Sequence, residues 1–254
     1  MNAILRAFKT PITLASVCLA LTGCTATGEF DSAKAMNTGM DMSQAFLLSE
    51  AQVVEMSMQA AAVSDGRNRV APASNAYARR LERLTAPYTQ VSGLNLNYKV
   101  YMDDQLNAFA MADGTVRVYS GLMDAMNDAQ LLGVIFHEIG HVKYKHSYDQ
   151  MRAALLTDSS FRAVASVGGT VGDLTQSQLG QVANAAIKAR FSRQDEHRSD
   201  VYAVRMLRQH GHNPAAMREA IEVLQRHGGD GGGFLSTHPS NPDRIARINE
   251  AIGG

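Results

Sequence analysis

This sequence of 254 residues predicts an α+β fold that is mostly helical, with a small antiparallel sheet or hairpin beside a central helix. Three observations carry that expectation. Apolar residues recur at helical spacing over most of the chain, and the period changes to alternation only between Leu94 and Tyr119. With 45% hydrophobic and 19% charged residues the chain can bury a sizeable core, which excludes global disorder. Its formal charge is +0, with 24 basic and 24 acidic residues, so no basic surface for nucleic acid is expected.

Residues 1–23 read as a lipoprotein signal peptide. Arg6 and Lys9 supply a short positive region, and Pro11 to Leu21 is an apolar run too short to span a bilayer. The run ends in Leu21-Thr22-Gly23-Cys24, which resembles a bacterial lipobox, so Cys24 is the expected lipidation site. Thr25 stands where an Asp would signal inner-membrane retention, and by that sorting rule the outer membrane, facing the periplasm, is favoured. Cys18 leaves with the signal and Cys24 carries lipid, so no disulfide is expected. Losing Arg6 and Lys9 leaves 22 basic against 24 acidic residues, a formal charge of −2. Residues 24–42 are small and polar and read as a lipidated flexible tether, and residues 43–254 as one domain.

Within that domain, residues 43–63 have helical spacing, with Phe46, Leu47, Val53, Val54 and Met58 on one stripe. A second helix follows Asn75 and stops at Pro87. Leu94, Leu96, Tyr98, Val100 and Met102 alternate as a strand. Asp113-Gly114, between Asn107–Ala112 and Thr115–Tyr119, predicts a hairpin with a type I′ turn. Beyond Gly121 the pattern is helical. Asn213-Pro214 and Asn241-Pro242 read as helix starts and Gly211 as a helix end. Ala153 to Ala189 reads as closely packed core helices, and Gly228 to Gly233 as a mobile linker.

The chemistry centres on His137-Glu138-Ile139-Gly140-His141. Histidines at i and i+4 share one helical face and can grip one metal ion, and zinc suits two neutral imidazoles plus an oxygen. Glu138, between them, can take a proton from a water at the metal. Gly140 costs about 1 kcal/mol in a helix relative to Ala, which hints at close packing there. A third ligand must come from elsewhere. Tyr144 and Ser147 stand where a metzincin would have Gly and His, which excludes that class. His146 falls off the metal-facing side of a continued helix and reads as structural or surface. Glu196 and Asp200 are two carboxylates at i and i+4, one able to bind the metal and the other to orient a ligand. Taken alone, that segment reads as a solvated face with Arg193, Arg198 and Arg205.

His137 to His141 followed by Glu196-x-x-x-Asp200 resembles the HtpX and CAAX-prenyl-protease group of gluzincin metallopeptidases, which have a zincin-like fold. Asn107-Ala108-Phe109-Ala110, Val118 to Met123 and Ser192-Arg193 are similar to that group's segments too. The resemblance covers roughly residues 43–250. It implies one zinc ion (Zn2+) held by His137, His141 and Glu196, Glu138 as general base and Asp200 as a carboxylate behind the ligands. The group usually has Glu and Ala where this chain has Arg198 and Ser199. His238-Pro239 with Arg244 also matches a motif of the group. Three readings of His238 stand open: an oxyanion donor, a fourth zinc ligand that holds the enzyme latent, or a histidine that caps or packs at a helix start. Arg244 can also steady the developing negative charge.

The expected activity is that of a zinc-dependent endopeptidase, with the 107–119 hairpin docking extended peptide. Unfolded or misfolded envelope proteins, outer-membrane proteins among them, are the substrates the resemblance implies. The alternative is a non-catalytic lipoprotein holdase with a structural zinc. Oligomeric state is left open.

Overall fold

The computed structural model describes residues 49–157, 174–227, 233–239 and 242–254. The signal peptide, Cys24, the tether, Phe46, Leu47, Asn241, residues 228–232 of the glycine-rich stretch and residues 158–173 lie outside the described residues.

A capping box at Ser49, whose hydroxyl accepts from Gln52 N, opens helix α1 (Glu50–Arg67). The face it buries is Val53, Met56, Ser57, Ala60, Ala61, Val63 and Ser64. Val54 (36% exposed) and Met58 (51%) point outward, which corrects the stripe expected from hydropathy. The interface is built largely from alanine and serine, which bring helices close and which a search for large apolar residues passes over. Helix α2 (Ala76–Thr85) starts at Asn75 as expected and runs into a 3-10 turn (Ala86–Tyr88) containing Pro87.

The expected strand from Leu94 splits in two. Leu94–Asn95 (β2) forms an antiparallel hairpin with Gln90–Val91 (β1). Leu96 N donates to Thr89 O at 2.8 Å, and Asn97–Tyr101 (β3) then enters a different sheet with β4 (Ala108–Ala110) and β5 (Thr115–Tyr119) in the order β3-β5-β4. β4 and β5 form the expected antiparallel hairpin, while β3 joins β5 in parallel, with β4 serving as the crossover. The positive-φ pair of a type I′ turn is found at Ser92 (φ 54°) and Gly93 (φ 78°) of the β1–β2 hairpin. At Asp113-Gly114 only Gly114 (φ 89°) is positive, and Gly114 N bonds to Met111 O, so that turn is longer and of another type.

The sheet buries both faces. Val100, Ala108, Ala110, Val116 and Val118 join the main core, while Tyr101, Phe109 and Tyr119 pack into a second cluster with α1. Among the described residues the main body also holds the helices α3 (Ser120–Ala125), α4 (Asp128–Lys143), α5 (His146–Thr157), α6 (Gln176–Ile187) and α7 (Arg193–Gln209). Three more follow: α8 (Ala216–His227), the short α9 (Phe234–Thr237) and α10 (Pro242–Gly253). Helix α4 is the spine, with every residue from Leu131 to Val142 buried. Its Gly133 abuts Met217 of α8: a Cβ there would lie 3.2 Å from the Met217 Cα. Gly211 (φ 74°) ends α7 as expected. His212 N donates to Leu207 O and Gly211 N to Arg208 O, which is a Schellman motif. No described helix is long and apolar enough to cross a membrane.

One ion-paired knot ties α1 to the sheet. Arg117 grips Asp65 with Nε at 2.8 Å and Nη2 at 3.0 Å, Lys99 Nζ adds 2.6 Å and the Tyr101 hydroxyl 2.9 Å. Burial pulls the Asp65 carboxyl upward, but these donors outweigh it and hold it below the usual carboxylate range. A depressed native value adds stability above the unfolded value of about 4, and that stability disappears as pH falls through the native value. Because Arg117 is 3% exposed, removing its partner strands a buried charge. We expect Asp65→Ala to lower stability by about 2–3 kcal/mol at pH 7 in urea titrations, with the difference from wild type shrinking below about pH 4.

Candidate active site

Helix α4 opens with a capping box, Asn127 Oδ1 accepting from Gln130 N, and carries His137, Glu138 and His141 on its buried face. Helix α7 opens with another, Ser192 Oγ accepting from Asp195 N, and presents Glu196 in its first turn and Asp200 one turn on. The two helices meet at Gly140, where a Cβ would lie 2.9 Å from the Ser199 Cα. The close packing expected at Gly140 is thus found, and its partner is Ser199.

His137, His141, Glu196 and His238 each turn one ligand atom into a common point, all within 4.8 Å of one another. His137 Nε2 lies 3.0 Å from His141 Nε2 and 3.3 Å from His238 Nδ1. His238 Nδ1 is 3.0 Å from Glu196 Oε1, and Glu196 oxygens are 3.5 Å from both other imidazoles. Bonds of about 2.0–2.1 Å to a zinc-sized ion set tetrahedral ligand atoms about 3.3–3.4 Å apart. The observed separations bracket that spacing, so the four groups fit a divalent cation. Glu138 Oε1, almost fully buried, accepts no hydrogen bond and faces His238 Nε2 at 3.3 Å.

The ligands are braced from behind. His137 Nδ1 donates to Asp200 Oδ1 at 2.8 Å. Arg244, with no exposed surface, donates to both Asp200 oxygens (2.7 and 2.9 Å) and to His238 O (3.1 Å), and Nη1 sits 2.7 Å from Glu196 Oε2. Burial favours the neutral form of every acid here. For Glu196 the positive charge of His238 and Arg244 overrides burial and holds the carboxyl well below its ordinary value. Arg244 and His137 do the same for Asp200. For Glu138 burial wins, helped by Glu196, and pushes the carboxyl up to about 7. Burial also lowers His137 and His141, which leaves them neutral, as metal ligands must be.

Glu138 also touches the sheet. Asn107 and Met111 bond to β5, so by antiparallel alternation Ala108 and Ala110 turn their backbone groups away from it. The Ala110 backbone N–H lies near the Glu138 carboxylate and favours its charged form. The expected hairpin therefore lies beside the catalytic helix, with its unpaired edge toward Glu138.

Two aromatic rings escaped the sequence reading, and His146 takes the structural of its two expected roles. Phe191 and Phe234 cover the ligands: Phe234 stacks on His238 at 4.2 Å between centroids, and Phe191 lies 3.7 Å over His141. No motif marks either ring. His146 is buried beside His141, Nδ1 to Nδ1 at 3.2 Å. Helix α4 stops at Lys143, and Lys145 (φ 63°) turns the chain back, so His146 meets His141 from α5 instead of trailing along a continued helix. Arg198, a departure from the resembled pattern, lies 4.3 Å over the Tyr144 ring.

The sequence model of Peptidase family M48 matches residues 72–252. The chain belongs to this family. Within it, the chain is similar to Metalloprotease LoiP of Escherichia coli (strain K12), 40% identical over 239 residues, covering 93% of this chain and 94% of the relative. Metalloprotease YcaL of the same strain is 35% identical over 246 residues, covering 96% and 97%. The beta-barrel assembly-enhancing protease of that strain is 31% identical over 161 residues, 57% of this chain and 32% of its own length. Membership of the M48 family makes the chain a metalloendopeptidase, with a buried His-His-Glu-His group suited to a divalent metal.

Because α4 and α7 touch at Gly140, Gly140→Ala forces apart the helices that carry the ligands. Expected outcomes are a loss of about 1–3 kcal/mol in thermal unfolding and weaker metal retention on dialysis against a chelator.

Proposed function

We propose that this M48 protein is a zinc endopeptidase of unfolded or misfolded envelope proteins, lipid-anchored through Cys24 to the outer membrane and facing the periplasm. The observation that carries the catalytic part is Glu138, buried beside the ligand set and at the open edge of β4. His137, His141 and Glu196 would hold the ion, with Asp200 and Arg244 fixing their orientation. When bound, the ion supplies a Lewis acid that polarises the scissile carbonyl and acidifies the attacking water. Glu138 takes that water's proton and passes it to the leaving amine, work suited to a carboxyl near pH 7. Arg244 already serves Asp200, Glu196 and His238 O, which supports its bracing the ligands over its touching the substrate.

An extended substrate pairing with β4 passes Glu138, and main-chain pairing tolerates many sequences. At the Asn107 end of that strand lies a polar cavity of about 450 Å3, lined in part by Asn107, Tyr119, Ser236, Thr237, Arg67 and Lys188. The name of the beta-barrel assembly-enhancing protease supports an envelope setting and outer-membrane substrates. The lipobox-like Leu21 to Cys24 supports the anchor.

Of the readings of His238, its Nδ1 among the ligand atoms and its Nε2 over Glu138 support the latent one, in which the ring would give up the proton that, against burial, Glu138 and Glu196 favour. A four-ligand set is also what a structural zinc in a holdase would have, but such a site has no use for Glu138.

Cleavage of an unfolded reporter by the zinc-loaded protein tests the proposal. We expect Glu138→Gln to lower kcat/KM by about 10²–10⁴ while zinc stays bound. Glu196→Ala should lose the metal; a full equivalent of zinc in that variant would move the third ligand elsewhere. His238→Ala should cleave faster than wild type if His238 holds the site latent, and slower if it donates to the oxyanion. Proline substitutions along 108–110 that leave cleavage unchanged would refute docking on β4.

A further inference from the structure

A metal-bound imidazole is held in place by whatever its second nitrogen bonds to. For His137 that partner is Asp200. For His141 it is another histidine. His141 Nε2 faces the ligand set, and its Nδ1 lies 3.2 Å from His146 Nδ1. The opposite nitrogen of His146, Nε2, is 3.3 Å from Asp195 Oδ1. Ser199 Oγ stands 3.4 Å from His146 Nδ1. His146 is 4% exposed and Ser199 fully buried, so water does not substitute for these contacts.

Proton counting fixes the direction of the chain. With Nε2 of His141 given to a cation, the ring's one proton sits on Nδ1 and must be donated. His146 Nδ1 is the acceptor, so the His146 proton sits on Nε2, which lies 3.3 Å from Asp195 Oδ1 without making a hydrogen bond to it. Asp195 completes the arrangement with its other oxygen: Oδ2 accepts from Ser192 N (3.1 Å) and Ser192 Oγ (2.7 Å), the capping box that opens α7 one residue before Glu196.

We propose that His146 is a positioning residue that holds His141 in its ligating tautomer, with the Asp195 carboxylate beside its far nitrogen as a neighbouring charge. Ser199 adds a weaker contact to the same imidazole, on the helix where the resembled group has alanine. The inference rests on the ligand assignment proposed above.

The test is zinc affinity, measured on the full chain by competition with a chromophoric chelator, alongside the stability of the metal-free protein. His146→Leu removes the acceptor and is expected to weaken zinc binding about 10–100-fold. His146→Gln, whose amide oxygen can accept from His141, should recover most of that loss; a merely structural role would show no such rescue. Asp195→Asn keeps a helix cap and should weaken zinc binding less than His146→Leu does. Nitrogen-15 spectra of the zinc-loaded wild type should show His146 protonated on Nε2, which needs no variant to fold. A folded His146→Leu with wild-type affinity, or a His146 protonated on Nδ1, would overturn the brace. A His141→Ala protein that binds zinc like wild type would instead overturn the ligand assignment beneath it.

Discussion

The approach of α4 to α7 is the constraint on which the site depends. Two histidines on one helix can offer only half a tetrahedral shell, and a carboxylate must arrive from a second helix at nearly contact distance. Gly140 makes that possible by leaving no side chain between its own backbone and Ser199. Once the helices touch, the pitch of α7 does the rest: Glu196 reaches the ion site and Asp200, one turn later, reaches the back of His137. A larger residue at either position would separate the two halves of the shell, whatever the chemistry of the ligands.

Such crowding has an electrostatic cost that the surroundings must offset. Glu138, Glu196 and Asp200 sit together out of water. Arg244 supplies a permanent charge that two of them share. Glu138 is left outside that arrangement, answering to burial, which separates its protonation behaviour from that of its neighbours. One fold region thus holds carboxylates of different character within a few ångströms.

Much of this was legible in the sequence, and the exceptions have physical reasons. The i, i+4 spacing of His137 and His141, and again of Glu196 and Asp200, is a property of any helix and needs no tertiary knowledge. The helix cap at Asn75 and the end of α7 at Gly211 are equally local. The buried face of α1 departs from its hydropathy because alanine and serine make its interface while Val54 and Met58 face outward. The type I′ turn lies at Ser92-Gly93 and not at Asp113-Gly114, and Ser-Gly is a weaker local signal than Asp-Gly. His146 reaches His141 only because the chain reverses at Lys145, and that reversal depends on where the next helix packs. The parallel pairing of β3 with β5 and the rings of Phe191 and Phe234 are long-range outcomes with no local signature.

The position of Glu196 in the first turn of α7 bears on how the ion can be lost. Helix ends open and close far more often than whole domains unfold. A ligand placed there gains and loses its grip with each such opening, and the cap at Ser192 sets how often that happens. For the ligand set proposed above, release of the ion to a chelator would follow the opening of that one turn and not the unfolding of the core.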